Sequence, residues 1–230
     1  MTEVRPSLDQ NHEKKPIRKI VYGALGSVAM TAVQLTASFT SASGGGHNVL
    51  RTLSVENIDG MLYLGSARAA QLAQKGHLPE AERQKRVRRW RAGTLSLICA
   101  GALYTGYEAA EDVLEGDFHP ATPLSIGLVA AGVGVNRLVE RGLHDHVDSQ
   151  DAHRDAWRHA MTDMAVGIGM GVALGVNYVT YKYGVETGWT QALPDVSATL
   201  GSAAIVVANA PTANRLSQAD PQPERLDDMA

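Results

Sequence analysis

His159 and Asp163 lie four residues apart at the start of a long apolar run, 160–181, which is followed by Lys182. A spacing of four places both side chains on one face of a helix. Ionisable side chains inside a bilayer are costly and normally face a bundle interior, where they mark an ion path or a proton relay. An imidazole and a carboxylate also form a ligand pair for a metal such as zinc. The alternative is a helix start in the wet membrane interface, where the pair has no function.

A second acidic pair, Glu56 and Asp59, is spaced by three residues in another segment. A metal site in a helical bundle takes its ligands from at least two helices, because one helix face offers only a pair. Glu56 or Asp59, or both, would join His159 and Asp163 to give three or four ligands for a divalent cation. The alternative is that Glu56 forms a structural salt bridge with Arg51.

The elements that must position these residues are apolar segments long enough to cross a bilayer. Composition alone, with 44% hydrophobic and 20% charged residues and a mean hydropathy of -0.13, would also fit one or two soluble domains. The charges, however, are concentrated in residues 1–19, 68–91, 137–158 and beyond 214. A membrane-spanning helix needs about 20 residues. The intervals predict six spans, two of them short: 20–42, 49–67, 95–110, 124–139, 156–181 and 196–210.

These intervals predict an all-α fold, a six-helix transmembrane bundle. Residues 1–19 would form a cytoplasmic N-terminal segment, 20–213 the transmembrane domain and 214–230 a disordered cytoplasmic tail. The Ser/Gly cluster at 41–46 is expected to end the first span, and Pro211 the last. A stripe of small residues in the fifth span predicts close approach of another helix; its members are Gly167, Gly171 and Gly175.

Basic residues alternate from one connection to the next. The loops near 43–47, 111–123 and 183–190 contain no Lys or Arg, whereas 68–91 and 137–158 are rich in Arg. The positive-inside rule then places both termini in the cytoplasm of a multi-pass protein of the cell membrane. Because the basic residues lie between apolar spans and the net charge is -3, we expect no nucleic-acid partner. The expected partners are the lipid bilayer, a divalent cation and the proton, with a homodimer or a hetero-oligomer left open.

The chain resembles the cation diffusion facilitator family of divalent-metal efflux transporters over residues 17–213. The resemblance rests on RHAMTDMAVGIGMGVAL in the fifth span, GWTQALPDVSATLGSAAIVVANA leading into the sixth, YTGYEAAEDVL in the third, and Asn136 at the end of the fourth. It implies a transported metal, most simply zinc, with manganese, iron or cobalt as alternatives. Proton antiport would follow, because the ligands bind metal only when they are deprotonated.

The chain departs from the family pattern in the second span, where members commonly supply a His-x-x-x-Asp or Asp-x-x-x-Asp pair. Alignment by the Ser/Gly turn places Thr52 and Glu56 there, so one expected ligand is missing. Either Asp59 supplies the missing ligand, or a water molecule takes that position, or the site has lost its function. An oxygen-richer set would favour harder ions such as manganese or iron(II). The sequence also ends soon after the sixth span, so we expect the family's cytoplasmic metal-sensing and dimerising domain to be absent.

Two other functions remain open at this point. The loss of a ligand at Thr52 motivates a non-transporting relative that acts as the partner of an intact transporter. A membrane-embedded enzyme is the least favoured, since no nucleophile with a matching partner is visible, and we predict no catalytic or cofactor-binding residues. The loop at 144–155 is dense in His and Asp and would capture cytoplasmic metal, unless it is simply solvated.

Overall fold

The computed structural model describes residues 10–40, 44–59, 79–144 and 150–218, without the side chains of 10–21, 59, 80, 83, 139–144 and 150–160. This part of the chain contains six α-helices and no β-strand, so the predicted all-α fold is confirmed for it. The helices are α1 (Gln10–Ser38), α2 (His47–Glu56), α3 (Glu80–Glu115), α4 (Pro123–His144), α5 (Gln150–Lys182) and α6 (Gly188–Gln218). A single 3₁₀ turn, Asn57–Asp59, continues α2.

Two of these helices are long and apolar enough to cross a membrane: α5 over Met161–Lys182, and α6. Only 28% of the apolar window in each is buried, whereas the core helix of a soluble protein would be mostly buried. The outward-facing side chains include Val172 and Val207, the latter 75% exposed. In α4 the apolar stretch, Pro123–Leu138, is shorter. Length and hydropathy therefore support a membrane location for two of the six predicted spans.

Helix α2 lies inside the bundle, and all but two of its side chains are buried. It packs against α1, α3, α4 and α6. Its apolar residues Val49, Leu50 and Leu53 form a core with side chains of α4, α5 and α6, and Val55 packs in a second core with Ile98 and Ile205. Because α2 is enclosed, its polar residues must find partners on other helices.

The loops without Lys or Arg meet at one end of the bundle. Gly45 N–H donates to the carbonyl oxygen of Pro120 at 3.0 Å, so the α1–α2 connection lies against the α3–α4 connection. The side chain of Asn177 accepts from Ala121 N–H at 2.6 Å and donates to the carbonyl oxygen of Thr190 at 3.0 Å. These bonds add the α5–α6 connection to the same end, as the alternation of basic residues predicts.

The prediction that Pro211 ends the sixth span is wrong. Helix α6 continues through both Pro194 and Pro211 and ends at Gln218. A proline removes one backbone hydrogen bond and bends a helix, but it doesn't end a helix whose following turn is held by packing. Ala213, on that turn, is buried against α3 side chains in the second core. The predicted boundary at 213 therefore falls within α6, and residues 60–67 of the predicted second span lie outside the described residues.

The predicted close approach along the stripe of small residues is confirmed at one of its three positions. A Cβ atom at Gly167 would lie 2.6 Å from Val133 Cγ2 of α4, and one at Gly171 would lie 3.4 Å from Val129 Cγ1. A Cβ atom at Gly175 would meet nothing within 4 Å. The absence of a side chain at Gly167 thus allows the close approach of α4 and α5, whereas the distance at Gly171 is an ordinary van der Waals contact.

Replacement of Gly45 by alanine is expected to destabilise the fold by more than about 1 kcal/mol. The new Cβ would overlap the backbone carbonyl of His119, which cannot rotate away as a side chain could. Gly134→Ala is the matched control, because a Cβ there meets nothing within 4 Å and should stabilise its helix by up to about 1 kcal/mol. Thermal unfolding in detergent, monitored by circular dichroism, measures the difference. Equal melting temperatures for the two variants would contradict this contact.

Candidate functional site

A small cavity opens between the end of α2, the 3₁₀ turn, α4 and α5. Its polar lining consists of Glu56, Asn57, Asn136, Arg137 and Asp163, and its other lining residues are Leu53, Gly132, Val133 and Met164. The enclosed space is on the order of one water molecule. The structure therefore brings two of the predicted ligands, Glu56 and Asp163, to one site.

Both carboxylates are buried. Glu56, the last residue of α2, is 2% exposed, and Asp163, on α5, is 8% exposed. Neither is without a partner. A buried carboxylate is costly unless hydrogen bonds or a positive charge compensate it, and two that line one small cavity repel each other. Arg137 lines the same cavity and supplies one positive charge, and a bound cation would provide the further compensation that two carboxylates need.

For the other two predicted ligands, His159 and Asp59, the structure gives the backbone position alone. His159 lies in α5, one helical turn before Asp163, and Asp59 ends the 3₁₀ turn that follows α2, but both side chains are outside the described set. Among the side chains that are described, no group of three or more His, Cys, Asp or Glu is arranged to hold a metal ion. The predicted metal-capturing loop at 144–155 also lies outside the described side chains.

Thr52, at the position where the family resemblance implies a ligand, is directed elsewhere. Its hydroxyl lies 3.1 Å from that of Ser202 on α6 and 3.4 Å from that of Thr105 on α3. Thr105 and Ser202 are themselves 3.2 Å apart, so the hydroxyls form a buried cluster. Thr52 thus joins α2 to α3 and α6 and is not among the residues that line the cavity.

Arg51 forms an ion pair with α3, instead of with Glu56. Its guanidinium Nη1 donates to Glu108 Oε2, and the Tyr104 hydroxyl donates to the other oxygen of that carboxylate. The guanidinium also lies over the ring of Phe39, 5.0 Å from its centre. The positive charge of Arg51 is therefore neutralised by Glu108, outside the lining of the cavity.

A polar cluster that the sequence analysis did not identify joins α2, α3 and α6 near the loop end. The side-chain amide of Asn48 donates to Asp112 at 2.6 Å and to Asp195 at 2.9 Å, and His47 Nε2 lies 3.2 Å from the Asp112 carboxylate. Asn48 and Asp195 are buried. The signal in the sequence was the spacing of Asn48, Thr52 and Glu56, which recur every four residues and so share one face of α2.

Comparison with known proteins finds no match to a family model, to a curated protein or to a solved structure. In the part of the chain that the structure describes, the fold is all-α, with two helices of membrane-spanning length and a cavity lined by two buried carboxylates and by Arg137. Any function must therefore be argued from the residues of that cavity and from the sequence patterns around them.

Replacement of Asn48 by alanine is expected to destabilise the protein by about 1–3 kcal/mol, because it leaves the Asp112 and Asp195 carboxylates without their shared donor. Asn214→Ala on exposed α6 surface is the control and should change stability by less than about 0.5 kcal/mol. Thermal melting of both variants in detergent measures the difference. Equal melting temperatures would show that the bridging amide contributes nothing to stability.

Proposed function

We propose that this protein is an integral membrane transporter of divalent metal cations, and that the cation binds in the cavity between α2, α4 and α5. The observation that carries the proposal is that Glu56 and Asp163, buried carboxylates from two different helices, line one small cavity. In a membrane protein such groups are rare, pair with other polar groups of the bundle interior and mark ion paths or proton relays.

The sequence around the cavity supports the same assignment. His159 precedes Asp163 by one helical turn and would add an imidazole to the carboxylates, and Asp59 would add a further oxygen. The strings that resemble the cation diffusion facilitator family include this pair, together with Asn136, which lines the cavity. We propose zinc as the first substrate to test, with manganese, iron and cobalt as alternatives.

The depth of the cavity also favours transport. Nine residue steps along α2 separate His47 near the loop end from Glu56, a rise of about 13 Å. In a hydrocarbon layer about 30 Å thick, Glu56 would lie within the membrane, on the side of the basic end, because Asp163 is the third residue of the apolar stretch Met161–Lys182 and Arg137 the last but one of Pro123–Leu138. Under the positive-inside rule, the loop end without Lys and Arg would face outside and both termini would be cytoplasmic.

Coupling to protons follows from the chemistry of the ligands. A carboxylate or an imidazole binds metal only in its deprotonated form, so metal entry releases protons and protonation releases metal. Exposure of the cavity alternately to the two sides of the bilayer would then exchange a metal ion for protons. Inward movement of protons would drive export of the cation.

The test is metal uptake into liposomes that contain the purified protein, under an imposed pH gradient, with zinc and with manganese. Glu56→Gln and Asp163→Asn keep the shape of each side chain but remove its charge, and each should reduce uptake at least tenfold, about 1.4 kcal/mol in transition-state free energy. Asp117→Asn is the control, because this carboxylate is 65% exposed in the α3–α4 loop, and uptake should be unchanged. Equal uptake by all variants would contradict the proposed site.

The placement of Thr52 favours a second candidate, a non-transporting relative that assembles with an intact transporter. The Thr52 hydroxyl is bound to α3 and α6, so position 52 contributes nothing to the cavity. Folded protein that transports neither metal, and that co-purifies with a complete transporter, would favour this candidate over the first.

A further inference from the structure

Asn57 follows Glu56 directly and lines the same cavity from the 3₁₀ turn. Its side chain is 1% exposed. The amide nitrogen Nδ2 donates to Gln34 Oε1 on α1 at 2.7 Å, but the carbonyl oxygen Oδ1 has no hydrogen-bond partner. A buried acceptor without a donor is uncommon in folded proteins and indicates a ligand or a functional constraint.

The orientation of this amide is determined by a chain of hydrogen bonds. Gln34 Nε2 donates at 3.1 Å to the backbone carbonyl of Leu128 on α4, which can only accept. The Gln34 amide oxygen must therefore face Asn57, and Asn57 must donate to it through its amide nitrogen. The Asn57 carbonyl oxygen therefore has no hydrogen-bond donor.

Gly132 on α4 provides the space for this chain. A Cβ atom at position 132 would lie 2.5 Å from Gln34 Nε2, closer than real Cβ contacts come. The Gln34 amide can reach the Leu128 carbonyl only because residue 132 has no side chain. Helices α1 and α4 and the 3₁₀ turn thus together hold one amide oxygen in a fixed orientation.

We propose that Asn57 Oδ1 is an oxygen ligand of the cation in this cavity, together with Glu56 and Asp163. It would provide the ligand that Thr52 doesn't supply. The inference rests on the proposed function, and it specifies which class of metal ion the cavity would bind. Two carboxylates and an amide carbonyl are a hard, oxygen-rich set, which suits ions such as manganese better than a set dominated by imidazole or thiolate.

The test is calorimetric titration of the full-length protein in detergent with Mn²⁺ and, separately, with Zn²⁺. Asn57→Leu removes the oxygen at similar volume and should weaken Mn²⁺ binding at least tenfold, and Zn²⁺ binding by less. Asn57→Asp retains an oxygen and adds a negative charge, which should strengthen Mn²⁺ binding even though Gln34 Oε1 loses its donor. Asn209→Leu is the matched control: Asn209 is equally enclosed on α6, where it donates to the Ile205 carbonyl, and it lies outside the cavity.

The outcomes separate the two proposals. If the wild-type protein binds neither ion, or if binding is unchanged in Glu56→Gln and Asp163→Asn, the proposed function fails and the inference with it. If binding needs both carboxylates but Asn57→Leu has wild-type affinity for both ions, the inference alone is overturned. Should Asn57→Leu not fold, Asn57→Asp decides, because unchanged or weaker Mn²⁺ binding in that variant would also overturn it.

Discussion

The burial of a polar face on α2 is the constraint on which the rest of the structure depends. Asn48, Thr52 and Glu56 recur at each turn of this enclosed helix, and each must be compensated by another element. Asn48 bridges carboxylates of α3 and α6, and Thr52 joins hydroxyls of the same two helices. Glu56 instead faces the cavity beside α4 and α5. The partners that α2 requires thus determine which helix lies on which side of it.

The outer surface has the opposite character. Large apolar side chains of α5 and α6 face outward while amides, hydroxyls and carboxylates are enclosed, a distribution that suits a lipid environment and would expose a large apolar surface to water. Close contacts between helices then depend on small residues, as at Gly167 against α4. The same close packing keeps the acidic cavity small, so that few groups can share it.

The residues near the cavity on α2 and the 3₁₀ turn have different partners. Thr52 joins α2 to α3 and α6, whereas Asn57 lines the cavity and its amide is held by Gln34 of α1. Arg51, which would oppose a cation if its charge faced the cavity, is neutralised by Glu108. The lining also includes Arg137 beside Glu56 and Asp163, so a cation would have to compete with one guanidinium for the two carboxylates.

The sequence by itself determined the features that depend on residues near one another in the chain. Runs of apolar residues located α4, α5 and α6, the distribution of Lys and Arg identified the loops that meet at one end, and the four-residue spacing within α2 implied a polar face. The sequence also selected Glu56 and Asp163 as residues of one site. Their contribution to metal binding, like that of His159 and Asp59, remains a prediction.

Only the tertiary structure decided which groups meet across helices. The bridge from Asn48 to Asp112 and Asp195, the direction of Thr52 and the orientation of the Asn57 amide all depend on the rotation and separation of neighbouring helices. Side-chain packing sets these quantities, and local sequence doesn't encode them. The same reason explains Pro211, because packing of the following turn stabilises α6 beyond a residue that removes one of its hydrogen bonds.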